Sequence, residues 1–157
     1  MISVDISRKY AHLVSDKEIE KYTQKILDLI NPEHRFDVTI FIGSDQQIKN
    51  LNKQFRGLDE PTDVLSFDSG EIDPDTGNQI LGDIAISYDS AERQSVEAGH
   101  PLLNEIILLL THSILHLSGY DHVTPEEKKV MWNEQQKILD RLSVQIKRIS
   151  GDEDFHD

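Results

Sequence analysis

The chain has 157 residues, 29 acidic against 16 basic side chains, a formal net charge of −13 and no cysteine. That length suits one domain with a core of its own, so a metal is not needed merely to hold it together. The missing thiols exclude disulfides, Cys-ligated zinc and thiol catalysis, and the acidity argues against a broad, nonspecific nucleic-acid surface, which needs lysine and arginine to neutralise phosphates.

The start, MISVDISRKY, lacks the basic patch and apolar stretch of a secretory signal. The most apolar segment, 102–117, is interrupted by Asn104, Glu105 and two histidines, so a soluble, cytoplasmic chain without a membrane span is expected. Residues 2–7 alternate like a strand. Ser15 with Glu18 forms a capping box opening a helix that carries Ile19, Tyr22, Ile26 and Ile30 on one side and stops at Asn31-Pro32. FDVTIFI, 36–42, is a second strand; Ser44 with Gln47 caps the next helix, with Ile48, Leu51 and Phe55 facing inward and Gly57 ending it.

Two more strands, 63–67 and 82–88, flank the polar loop DSGEIDPDTGNQI. That loop has only a superficial likeness to a calcium site: counted from Asp73, the sixth position is Asn78 rather than glycine and the twelfth is Ile84 rather than glutamate. Helices over about 89–98, 101–118 and 125–149 complete the domain. Strands joined through helices pair in parallel and the last two can form a hairpin, so the expected fold is α/β, a mixed four-stranded sheet covered by about five helices. One domain is expected over 1–150, with the acidic tail GDEDFHD, 151–157, as a solvated, disordered end.

The stretch THSILHLSGYDH holds three of the chain's seven histidines. Its helix is apolar nearly all round, which marks it as buried. His112 and His116 are four apart on one face, about 6 Å along the axis, so both imidazoles can reach one ion. Gly119 permits a reversal that returns His122 to the same point. All-nitrogen ligation points to one zinc per chain, although ligand type alone also admits nickel, copper or manganese. Three protein ligands leave a fourth position open, the pattern of a catalytic rather than a closed structural zinc. Ser113 stands where the HExxH peptidase motif has its glutamate base, which weakens a peptidase reading. Asp121 and Glu105 are candidate partners that orient an imidazole.

Lys49, Lys53 and Arg56 form one basic stripe at i, i+4 and i+7. Alone, such a stripe reads first as a solvated helix face opposite Ile48, Leu51 and Phe55. Arg56 differs in ending its helix, where a planar guanidinium can clamp a phosphate bidentately.

HSILHLSGYDH, 112–122, resembles the HGxLHLxGYDH pattern of the YbeY-type rRNA maturation factors, single-domain bacterial metal-dependent endoribonucleases. LNKQFRGLDEPTDVLSFD, 51–68, and LGDIAIS, 81–87, resemble that family's arginine-containing segment and two of its strands, in consistent order from about 36 to 146. Two positions depart from the pattern: Ser113 replaces the usual glycine, and Asp68 a frequent proline. The resemblance implies zinc held by His112, His116 and His122, and Arg56 acting on RNA phosphate; Lys49 and Lys53 are substrate-binding candidates from the basic stripe itself. It also implies single-strand-specific cleavage in maturation of the 3′ end of small-subunit rRNA and a part in ribosome quality control. Ribosomal proteins and an assembly GTPase are the partners it implies. A rival reading is a noncatalytic, zinc-containing assembly factor that docks on pre-ribosomal particles.

Overall fold

Alternating apolar and polar residues make Ile2–Ile6 a strand, β1, with every second side chain turned inward. Helix α1, Asp16–Ile30, buries Ile19, Thr23, Ile26 and Leu27 and carries the chain across to β2, Phe36–Gly43. Ser15 accepts the Glu18 amide, the side-chain-to-backbone half of the expected capping box. The box around α2, Asp45–Arg56, is complete: Ser44 Oγ accepts from the Gln47 amide and Gln47 Oε1 from the Ser44 amide. The chain continues through β3, Val64–Asp68, and β4, Gln79–Ser87, then α3, Tyr88–Ala98, α4, Leu102–Leu117, and α5, Pro125–Arg141. This computed structural model describes residues 1–146.

The sheet runs in the order β1-β2-β4-β3, with β1, β2 and β4 parallel and β3 antiparallel to β4. The described residues form a single domain with a four-stranded mixed sheet and five helices. The fourth strand starts at Gln79, three residues before the expected 82, because it runs through a bulge at Gly82 instead of beginning there. Gly82 has φ +152°, and a Cβ there would stand 2.2 Å from the Phe67 carbonyl oxygen, so only glycine lets β3 and α4 close on this point.

The two faces of the sheet are covered unequally. Val38, Ile40, Ile42, Val64 and Ile86 join Ile19 and Ile26 of α1 and the long apolar run of α4 in the main core. Among the described residues the other face is covered by α2, whose Ile48 packs on Leu65 and Ala85. There Phe55 is 61% exposed, contrary to the inward position its spacing suggests. It meets Phe67 edge-on instead, at 5.5 Å between ring centres, because the face it would cover is open.

Helix α4 is buried from Glu105 to Leu115. Helix α5 ends at Arg141, short of the expected 149, and Ser143 follows with φ +58°. Residues 142–146, expected to continue the helix, are not helical, and its last expected residues, 147–149, the domain end at 150 and the acidic tail lie outside the described residues. Among the described residues, no helix is long and apolar enough to cross a membrane.

Candidate metal centre

The centre is assembled where α4 stops. The amides of Ser118, Gly119 and Tyr120 close the last turn onto the carbonyls of Ile114, His116 and Leu115. Gly119 reverses the chain at φ +107°, a conformation in which a side chain is strained. Asp121 Oδ1 then accepts the His122 amide at 2.8 Å, fixing the turn that brings His122 back over the helix. Directly afterwards Thr124 and Glu127 form the capping box of α5, which anchors the far side of the loop.

The His122 ring lies 5.3 Å from that of His112 and 6.0 Å from that of His116, centre to centre. His116, Asp121 and His122 form a donor group whose ligand atoms all lie within 4.8 Å of one another. Of the three expected histidines, His116 and His122 fall in this group with Asp121, whereas His112 stands outside it with its ring beside that of His122. His112, 2% exposed, stands deepest, its Nδ1 2.8 Å from Gln135 Oε1. A pocket of about 10 Å³ lies between His112, His122, Lys128, Met131, Trp132 and Gln135, room for one water-sized guest.

These residues fit a metal ion. The Nδ1 atom of His116 is buried and has no hydrogen-bond partner among the described residues. Burying such a nitrogen unpaired is costly, and a cation held between it and its neighbours offsets that cost. Imidazole and carboxylate are also the donor set that a divalent transition metal takes.

Glu105 does not belong to the centre. It lies two turns before His112, roughly 10 Å along the axis, and its carboxylate pairs with His100 Nε2 at 2.7 Å in a fully buried contact. Gln135 was not legible as a site residue, since a glutamine on a helix ordinarily reads as solvated. The available signal was its register with Met131, Ile138 and Leu139, the buried stripe of α5.

Arg56, the last residue of α2, reaches β3. Its Nη2 donates to the Ser66 carbonyl at 2.8 Å, and its guanidinium lies 5.6 Å from the centre of the Phe67 ring. The Phe67 carbonyl and the Leu117 side chain both crowd Gly82, so the strand segment holding Arg56 and the helix end holding the histidines meet at one place on the sheet. Lys49 and Lys53 each stand 3.9 Å from a carboxylate oxygen of Asp59, a loose, exposed pairing that leaves both ammonium groups accessible.

The family description "Endoribonuclease YbeY" matches residues 4–143. The chain is similar to the protein of that name from Acetivibrio thermocellus, 40% identical over 139 residues that cover 81% of this chain and 86% of that one. It is equally similar to the Endoribonuclease YbeY of Persephonella marina, 40% identical over 136 residues covering 86% and 88%. The solution structure of TM1509 from Thermotoga maritima superposes with a TM-score of 0.62 at 28% identity, covering 90% of this chain and 89% of that one.

Proposed function

This chain belongs to the YbeY endoribonuclease family, and from that premise we propose that it is a zinc-dependent endoribonuclease cleaving single-stranded RNA in the cytoplasm. Its substrate on this reading is small-subunit rRNA, matured at the 3′ end, and the same activity serves ribosome quality control. The observation that carries the reading is the convergence of His112, His116 and His122, with the buried Nδ1 of His116 as a donor ready for a cation.

His112, His116 and His122 would hold the metal, with Asp121 beside them. When bound, the metal supplies Lewis-acid polarisation of a phosphodiester and a nucleophilic water at neutral pH. Arg56 contributes a planar set of donors to the phosphate oxygens, oriented by the Ser66 carbonyl and the Phe67 ring. Lys49 and Lys53 take neighbouring phosphates of the strand. A chain of net charge −13 has no broad field to hold RNA, so ribosomal proteins and an assembly GTPase are proposed to supply the remaining affinity.

The test is cleavage of a defined single-stranded RNA before and after chelation. Cleavage lost on chelation and restored by zinc supports the reading, and cleavage indifferent to chelation contradicts it. Cyclic phosphate ends would identify the RNA 2′-hydroxyl as the nucleophile; cleavage of DNA of matched sequence would exclude it.

One observation favours the noncatalytic reading, an open apolar groove of about 610 Å³ on the α2 face, lined by Phe41, Leu51, Phe55 and Phe67. Particle binding by an otherwise inactive wild-type protein would establish that docking role in place of cleavage.

A further inference from the structure

We infer that Gln135 is a positioning residue of the metal centre, its side-chain oxygen holding His112 in the tautomer that offers Nε2 as a ligand. This rests on the reading of His112 as a metal ligand. Helix α5 turns Met131, Gln135, Ile138 and Leu139 toward the core at helical spacing, and Gln135 is the one polar member of that stripe. It is nevertheless only 1% exposed, so its amide depends on a partner inside the protein.

That partner is His112, whose Nδ1 stands 2.8 Å from Gln135 Oε1. An amide oxygen only accepts, so the imidazole nitrogen facing it carries the proton. In the neutral ring the lone pair then resides on Nε2. A free neutral imidazole side chain favours the opposite tautomer, with the proton on Nε2, so the contact reverses the default. Met131, 2% exposed, and Leu139, 1% exposed, pack one turn to either side of Gln135 and keep the amide from swinging away. Both His112 and Gln135 line the small pocket shared with His122. Ligating histidines characteristically donate their second nitrogen to a fixed oxygen, which sets tautomer and ring orientation; here a neutral amide on a neighbouring helix supplies that oxygen.

The test uses the full-length protein. Long-range 1H–15N spectra of the metal-free form, taken where the ring is neutral, should show His112 protonated on Nδ1. Gln135→Met should shift the proton toward Nε2 and weaken zinc, measured against a competing chelator, by about 10–100-fold. Gln135→Glu, which can still accept, should keep both the tautomer and the affinity.

A wild-type His112 protonated on Nε2 overturns the inference, because the amide would then be presenting its nitrogen. So does Gln135→Met with unchanged zinc affinity, or Gln135→Glu with affinity lowered as far as in Gln135→Met. If Gln135→Met does not fold, the wild-type tautomer and the Gln135→Glu affinity decide. A wild type that binds no zinc sinks the metal reading itself, an outcome distinct from a zinc-binding wild type indifferent to residue 135.

Discussion

Helices α4 and α2 lie on opposite faces of one sheet, and their polar residues carry very different amounts of information. In α4, buried from Glu105 to Leu115, each polar side chain requires a reason. Thr111 satisfies its hydroxyl on the Ile107 carbonyl, Glu105 pairs with His100, and His112 meets Gln135. In α2, which buries only Ile48 and Asn52, a lysine costs nothing where it stands. A polar residue on a buried helix is therefore strong evidence of a site, whereas the same residue on a half-covered helix is weak evidence until its contacts are known.

The comparison is tested most severely by truncating one apolar residue on each side. Leu108→Ala, at a position 0% exposed, should cost about 2–5 kcal/mol in urea unfolding. Phe55→Ala, at 61% exposure, should stay within about 0.5 kcal/mol. Comparable losses would mean that the α2 face is as tightly packed as the α4 face.

Arg56 asks whether α2 contributes to chemistry at all. Arg56→Ala should lower cleavage by about 10²–10³-fold with metal content unchanged. Arg56→Lys should not restore it, since an ammonium cannot reproduce the planar fork. Unchanged cleavage in Arg56→Ala would return the basic stripe to being a solvated face.

Asp45, in the first turn of α2, probes the join between that helix and α3. Burial pushes its carboxyl up, but hydrogen bonds from Arg93, Ser87 and Ser90 outweigh this and hold it below the usual carboxylate range. A folded-state value below the unfolded one gives stability that is fully present above the unfolded value of roughly 3.9 and is lost as pH falls from there through the lower folded value. Asp45→Asn should lose about 1–3 kcal/mol at pH 7 and show a flatter acid limb in urea titrations; an unchanged limb would remove the network from the account.

The smallest effect belongs to Ser113, 0% exposed, whose hydroxyl has no hydrogen-bond partner among the described residues. Ser113→Ala should stabilise the protein by about 1 kcal/mol without altering cleavage. Destabilisation would show that the hydroxyl has a partner in solution.

How much of this was legible follows the same division. The three histidines and the glycine reversal could be read directly, because an apolar helix leaves few explanations for His112 and His116. The strands were legible from their alternation, except that Gly82 looked like a beginning when it is a bulge within a longer strand. The end of α5 was hidden because Leu142 and Ile146 continue an apolar pattern that the backbone abandons at Ser143. Phe55 was misplaced because spacing shows which residues share a face, not whether that face is covered. Gln135 was missed because its meaning depends on a residue 23 positions away.

His112, His116 and His122 are held to form a metal site whose metal serves cleavage. The most direct measurement is metal content by mass spectrometry on the purified wild type and His116→Ala, paired with cleavage of one defined single-stranded RNA. The account predicts about one zinc per chain with cleavage in the wild type and loss of both in the variant. A wild type without metal, or a His116→Ala variant that cleaves normally, would contradict it.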